Sequence, residues 1–554
     1  MMVKSTDLLK QELFEPCRRL TSRGNLIWRE EFGSNGELYE LGPNAPVYGP
    51  WYLPSFIRGM IAMVKLGSDE DAFLLDCLNT YGPIVYVPWP MAQYFVMTSS
   101  AINRVYATPQ KTLSFLPIRM GMQASVFGTN HDVAHGSFMT TQAFPAHAKG
   151  MATLRLDEPI QRFIQVARGQ VEKLKQRVVS SPNGEVTINL AQWIGEVMFD
   201  AGLCAMFGPE VVKRSEDLLP SHKYSLKSGH YIFDDSFPLL ASDMIPKSLH
   251  RFVEPVREGV RGREAVSKVL AKWVAEGLPG LEKGLIKDVT QVYLDCGVSV
   301  EEVGTLLLSD LWALQANAPQ AAGALFTRVL QSPHIVKRLL EEIDNAGLLN
   351  TEEALTLKSV NEKLELGASC IQETLRLETS AFSIRIAQTD FMFDVSDENV
   401  KGDGSSSAVF IPKDARVVAA TRAAHLTDGL WGKDPEEWDG ERFLLEGERE
   451  EDRVRLKAKM YKEMRGFGGG VSMCEGRYFA SAELKVLLAL IIPTFDMQVI
   501  KPEEDKLENY KPIKLKGVPF GEAFAPKKQD SRPGLGAFQF ARGSDVAVKV
   551  RLRE

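Results

Sequence analysis

Between about residue 150 and residue 376 the order of apolar and polar positions reads mostly as helix. One helix opens at Ser299: Glu302 follows three residues later, a capping box, and apolar residues continue through LLLSDLWALQANAPQAAGALFTRVL. This run is long, apolar and central. A second helix begins at Ser332-Pro333, with serine as the cap and proline at the first helical position. The next, ELGASCIQETLRL, ends where ETSAFSIRIAQTDFMF turns strand-like. Ile84–Met97 is β-branched and aromatic with turn residues at Pro88 and Pro90, which predicts a hairpin. Residues 1–40 are polar and irregular. After them Pro43, Pro46, Pro50 and Pro54 make LGPNAPVYGPWYLPSFIRG an extended lead-in that cannot be regular helix. Beyond Phe443 a charged stretch, EGEREEDRVRLKAKMYKEMR, reads as a solvated face. A glycine cluster with one cysteine follows, then an apolar helix over Ala480–Ile492. There is no internal repeat and no linker of low complexity.

With 554 residues, 44% hydrophobic and 25% charged, the chain has material for a large core, and disulfide scaffolds and disordered chains are excluded. Length alone suggests three or four domains. The 65 Lys and Arg against 72 Asp and Glu leave a net charge of −7, with no basic surplus for a phosphate backbone, so nucleic acid is not an expected partner. Cys17, Cys77, Cys204, Cys296, Cys370 and Cys474 lie far apart and form no CxxC pair, as in a reducing compartment. No run reaches the ~18 apolar residues that cross a bilayer, and MMVKSTDLLKQELFEPCRR lacks the apolar core of a signal peptide. The chain as written reads as soluble or peripheral.

The cysteine cluster, GFGGGVSMCEGRYFA, places Phe467, Gly468, Gly470, Cys474 and Gly476 in the spacing F-x-x-G-x-x-x-C-x-G. It is not a phosphate loop or dinucleotide fingerprint, because no Gly-Lys-Ser/Thr follows and the third glycine of GxGxxG is missing. One cysteine cannot supply a tetrahedral zinc set. One thiolate can hold a haem iron, because the porphyrin supplies the four equatorial ligands. Glycines would then allow positive φ and bring amide N–H groups toward the sulfur, and the dipole of the following helix would add to its stabilisation. A buried free cysteine beside a flexible turn is the plainer alternative.

These residues resemble the cytochrome P-450 superfamily of haem-thiolate enzymes, and further segments arrive in that family's order. Glu373 and Arg376 in QETLRL match its E-x-x-R helix, where residues three apart share a face. Arg442 in WDGERF matches the arginine that joins them. Arg385 in SIRIAQ stands where the family sets a cation against a haem propionate. The resemblance covers roughly residues 43–554 and implies one mainly α domain with a small β region, a haem domain, preceded by residues 1–42 without a clear membrane span. Within the superfamily the chain is similar to the cholesterol 7α-hydroxylase and prostacyclin synthase branch, in LWALQANAPQAA, SIRIAQTDF, CEGRYFA and SRPGLGAFQF.

Most members carry an acid followed by threonine over the haem; here Ala316 and Asn317 take those places. Asn317 can donate one hydrogen bond and accept another, so ordering of water at the iron is the role the resemblance gives it, although a polar helix residue bonded to backbone is the ordinary alternative. Pro319 should bend the helix. Ser472 replaces a basic residue often found two before the cysteine, and no W-x-x-x-R helix is evident near NHDVAHGSFMTTQAF. His131 and His135 are candidates in its stead; their i,i+4 spacing also invites a zinc reading, although HDVAH is not HExxH, and a solvated helix face is the ordinary alternative. Ala537 and Phe538 in the tail are candidate substrate contacts.

The resemblance implies haem, dioxygen, a hydrophobic substrate such as a sterol, terpenoid or related secondary metabolite, an NADPH-dependent flavoprotein reductase, and a cytosol-facing place at the endoplasmic reticulum with peripheral membrane contact. A monooxygenase is the first expectation. A redox-neutral peroxide isomerase of prostacyclin synthase type is the second, and a haem-binding protein without turnover the third.

Overall fold

Proline spacing decides where the first helix can begin. Pro54, with φ −53° and ψ 144°, sits immediately before α1 (Ser55–Ser68), so the last part of the lead-in, SFIRG, is helical where extended chain was expected. Proline is compatible with the start of a helix, and that position was its only exit from the extended form. The computed structural model describes residues 30–32, 38–40, 45–218, 223–242, 245, 247–395, 408–427, 429–445, 449–528, 534–540 and 544–553. Cys17 and Pro43 lie outside these residues. Glu30–Phe32 and Leu38–Glu40 form an antiparallel pair where the sequence read as irregular. Strands of three residues are shorter than the runs from which alternation can be read.

The helical body contains α2 (Leu116–Ser125), α3 (Asp157–Ser180), α4 (Leu190–Phe207), α5 (Leu226–Ala241), α6 (Glu254–Ala275), α7 (Val300–Gln315), α8 (Ala318–Leu330), α9 (Pro333–Asn345), α10 (Glu365–Glu378), α11 (Thr421–Thr427), α12 (Glu450–Glu463) and α13 (Arg477–Thr494). α13 is apolar nearly all round and is buried against α3, α9 and α10. Each fully buried leucine or isoleucine there, such as Leu487 and Ile491, contributes roughly 1.5–3 kcal/mol by leaving water. α12, the charged stretch, keeps most residues exposed and buries only Met460 and Glu463.

The long central run is two helices. α7 stops at Gln315 and α8 starts at Ala318, with Asn317 at φ −120° between them. Pro319 lacks the N–H that would continue the ladder, so the bend expected there is a full break. The capping box is half made: Ser299 Oγ accepts from the Glu302 amide at 3.3 Å, whereas the Glu302 carboxylate accepts from the Asn130 amide at 3.0 Å instead of returning to Ser299. At α9 the proline is in place, but Ser332 Oγ donates back to the Arg328 carbonyl at 3.0 Å and caps nothing.

α5, α6 and α7 form a layer whose crossings are made by small residues. A methyl group on Gly262 would stand 2.5 Å from the Gly229 carbonyl oxygen, and one on Gly229 2.9 Å from that of Gly262. Where α7 crosses α6, a methyl on Gly304 would collide with the Ser267 carbonyl and lie 2.7 Å from Ala271 Cβ. At these points α6 meets the backbone of α5 on one side and of α7 on the other with only small side chains between them.

The β region is small. β1 (Ile84–Val87) and β2 (Gln93–Val96) are the expected hairpin. β2 runs parallel to β5 (Arg416–Ala420), which pairs antiparallel with β4 (Thr379–Ala387), and β4 pairs in turn with β7 (Leu535–Ala537). A second sheet orders β6 (Phe495–Val499), β8 (Ala547–Leu552) and β3 (Glu185–Asn189). Thus α10 runs directly into β4, and the cysteine loop leads into α13. No described helix is long and apolar enough to cross a membrane.

Candidate active site

The cysteine loop is a tight turn held by its own backbone. Gly468 and Gly470 take φ +71° and +59°, in the left-handed region that favours glycine. The Cys474 amide donates to the Phe467 carbonyl at 2.9 Å, closing the loop, and α13 starts three residues past the sulfur. A methyl on Gly470 would lie 2.9 Å from the Tyr106 carbonyl oxygen, so the loop is pressed onto residue 106.

Cys474 is exposed, whereas Cys77, Cys204 and Cys370 are buried; all four thiols are free, as is that of Cys296. The atoms around the Cys474 sulfur nevertheless desolvate the thiol, and this desolvation pushes its pKa up. The Gly476 amide opposes the rise, as do the charge and amide of Arg477, while the Glu475 carboxylate adds to it. The Gly476 and Arg477 amides are placed to stabilise negative charge on this sulfur.

Arg385 on β4 is 1% exposed. Its guanidinium donates to Ser472 Oγ at 2.5 Å and to the Ile384 carbonyl at 3.1 Å, and lies over the rings of Phe115 and Tyr106. Burial lowers its pKa, with partial opposition from Tyr106. No carboxylate among the described residues pairs with it. A buried guanidinium with no counter-ion is an acceptor site for an anionic group, and the carboxylates of a haem fit that chemistry. Ser472 then has a use: its hydroxyl donates to the Gly469 carbonyl at 3.0 Å and so links Arg385 to the cysteine loop. The sequence displayed Ser472 as a lost cation and concealed the link.

Glu373, Arg376 and Arg442 come together in one buried knot. Arg376 forks onto Glu373 with two bonds of 2.8 Å, and Arg442 Nε reaches Glu373 Oε1 at 2.9 Å. The free donors are taken by carbonyls: Arg376 by those of His425 and Pro435, Arg442 by those of Trp431 and Glu437. Both Glu373 and Arg376 are fully buried. The knot fastens His425 and residues 431–442 to α10, the helix that feeds β4 and Arg385.

At the break between α7 and α8, Ala316 is buried and Asn317 is tied to the tail: its Oδ1 accepts from the Ala537 amide at 2.9 Å. Gly536 has φ +111°, and a methyl there would collide with that same oxygen. Phe538 turns elsewhere, carrying Lys528 Nζ 3.4 Å from its ring centroid and Arg422 at 5.3 Å.

His131 and His135 are stacked on each other at 4.1 Å on the surface, and no metal-binding group of His, Cys, Asp or Glu exists among the described residues. This favours the solvated face. Sequence reading missed two cations and a ring: Arg119 on α2 reaches Glu475 at 3.3 Å beside Cys474, Arg465 is buried among Glu463, Ser99 and Asn103, and Tyr106 supports the loop and bonds Ser383 at 3.1 Å. None lies in a motif, and only the arginines' charge was visible beforehand.

A helical fold that presents one cysteine on a glycine loop, tied through Ser472 to a buried arginine without a counter-ion, has the attributes of the haem-thiolate class. The family model described as cytochrome P-450 matches residues 53–519, and the chain belongs to that family. A cytochrome P-450 monooxygenase of Gibberella zeae is 23% identical over 486 residues, 86% of this chain and 84% of that protein. The cholesterol 7-alpha-monooxygenase of Cricetulus griseus is 25% identical over 340 residues, 58% of this chain and 62% of that protein, so less than two thirds of its length is spanned. Ganoderic acid synthetase of Ganoderma lucidum is 27% identical over 373 residues, 61% of this chain and 67% of that protein. The protein is a haem-binding monooxygenase of single-domain fold, and its family works with dioxygen, a hydrophobic substrate and a redox partner.

Proposed function

We propose that the protein oxidises a sterol-like or terpenoid-like lipid, with Cys474 as the thiolate that would hold its haem and electrons from an NADPH-dependent flavoprotein reductase. The observation that carries this is the pairing of Cys474, braced by the Gly476 and Arg477 amides, with the counter-ion-free Arg385 across Ser472. The names of the Cricetulus and Ganoderma relatives support the lipid class. The haem domain is residues 43–554.

Bound haem supplies activation of dioxygen for insertion into an unreactive C–H bond. The chain's own residues do the rest. Phe467 and the glycine turn hold Cys474, Arg385 would receive a propionate, and the Glu373 knot keeps α10 and β4 in place. Asn317 has committed its carbonyl to Ala537, so its amide nitrogen is the group that orders water. Phe127, Phe237 of α5 and Trp312 of α7 pack on one another as an aromatic wall, with centroids 4.0 Å apart for Phe237 and Trp312. Exposed Trp51, Tyr52, Phe56, Ile61 and Val64 at α1, with Trp89 of the adjacent hairpin, support peripheral contact with the endoplasmic reticulum from the cytosolic side.

A second reading rests on Ala316 and Asn317, neither of which can ionise: a redox-neutral peroxide isomerase needs no proton relay. Reduced protein with carbon monoxide should give the red-shifted Soret band of thiolate ligation, and Cys474→Ala should abolish it; an unchanged band in the variant refutes the ligand assignment. Lipid oxidation that requires reductase and NADPH supports the monooxygenase. Conversion of a lipid peroxide without NADPH, and no oxidation with it, supports the isomerase and overturns the first reading.

A further inference from the structure

We infer that a cleft between α2, the residues following it and α6 is a binding site for a phosphate-type anion, independent of the haem. The cleft holds about 650 Å³ and is lined by four guanidiniums, those of Arg251, Arg257, Arg261 and Arg263, against one carboxylate, the exposed Glu264. Neutralisation from outside the lining is incomplete. Glu258 takes Arg261 at 2.7 Å and Arg257 at 3.3 Å, but it also takes Lys223 at 3.0 Å and the Tyr224 hydroxyl at 2.7 Å, so one carboxylate serves three cations. Glu254 adds a distant contact to Arg257 at 3.9 Å. Arg251 and Arg263 have no carboxylate within ion-pair distance among the described residues.

Arg263 is the built part of the site. It lies flat on the backbone of Gly128, where a methyl group would stand 2.7 Å from its Cζ, and one of its donors is fixed by the Val126 carbonyl at 2.8 Å. Burial lowers its pKa, with partial opposition from the charge of Glu264. Beside it, Thr129 is 3% exposed, and its hydroxyl oxygen accepts from Gln123 at 2.7 Å, which leaves its own proton free to donate. A carboxylate would satisfy one guanidinium fork. Several converging forks and a hydroxyl suit a tetrahedral oxyanion of higher charge. The residue after Val126 points the other way: Phe127 packs on Phe233, Phe237 and Trp312 at 5.8, 6.0 and 5.6 Å. An anion held by Arg263 would therefore steady the wall over α7 from outside.

Two sources carry such a group, a soluble phosphate ester and a phospholipid headgroup. Exposed Leu249 and Phe252 flank Arg251 and make the second accessible. The test uses the haem-loaded protein, inorganic pyrophosphate by calorimetry, and sedimentation with phosphatidylcholine vesicles with and without phosphatidic acid. Expected is saturable single-site binding of pyrophosphate, of phosphatidic acid vesicles, or of both, weakened tenfold or more in R251Q/R263Q and unchanged in K337Q. Pyrophosphate alone identifies a soluble ligand and vesicles alone a headgroup. An unchanged Soret band and melting temperature establish that the double variant is folded; should it not be, R251E, at an exposed side chain, must produce the loss. Absence of saturable binding in both arms, or binding that the arginine variants leave intact, overturns the inference.

Discussion

Asn317 Oδ1 accepts a hydrogen bond from the Ala537 amide, and this bond joins the break between α7 and α8 to the strand that edges β4. Asn317→Ala leaves that amide without its partner, a cost of about 1–3 kcal/mol if no water replaces it. Gly536→Ala should be worse, since it adds strain at φ +111° and a collision with the same oxygen. Asn317→Asp keeps the acceptor and should recover much of the stability. Denaturant unfolding measures all three; equal midpoints for wild type and Asn317→Ala would remove the bond from the account.

The Glu373 knot predicts asymmetric losses. Glu373→Ala leaves the buried Arg376 and the half-buried Arg442 without their anion, a loss of about 3–5 kcal/mol that should appear as poor soluble yield. Arg376→Lys keeps charge but not the fork, and should fall between Glu373→Ala and wild type. Unfolding midpoints rank them, and a stable Glu373→Ala protein would contradict the burial argument.

Arg385 gives predictions of opposite sign for the two forms. In the haem-free protein Arg385→Leu removes an uncompensated buried charge and should leave stability unchanged or higher. In the loaded protein it should speed loss of haem to an apo-globin scavenger by tenfold or more, with Arg385→Lys intermediate. Destabilisation of the haem-free variant, or wild-type retention of haem, would sink the propionate assignment.

Glu483 on α13 is 1% exposed, its Oε2 has no hydrogen-bond partner, and desolvation raises its pKa well above the usual carboxylate range. The folded chain keeps a proton that the unfolded chain gives up near pH 4.5. Its favourable contribution is therefore complete below that pH and declines as pH rises, by about 1.4 kcal/mol per pH unit for one proton. Glu483→Gln should match wild type at pH 4 and exceed it at pH 8 in unfolding free energy. Parallel pH curves for the two proteins would show that the carboxyl is ionised in the fold.

What the sequence revealed was local. The β1–β2 hairpin, α13 and the proline at α9 follow from alternation, apolar run and fixed φ, all of which act within a few residues. The partners of Asn317 and Arg385 did not emerge, because Ala537 and Ser472 reach them across 220 and 87 positions. The capping box at Ser299 was half legible for the same reason, since the Glu302 carboxylate was claimed by Asn130, 172 residues away. The split of the central helix was visible as Pro319, but its extent depended on where the tail docks.

The contacts of Gly229 with Gly262 and of Gly304 with Ser267 bear on how a guest molecule gets in. Side chains that separate two helices can swing aside; main chain resting on main chain has nothing to swing, and parting it means opening packed backbone along the whole crossing. α5, α6 and α7 should accordingly shift together, as one plank. The doorway is to be sought at the margins of that plank, and small residues engineered into larger ones at its seams should spoil the roof without creating a passage.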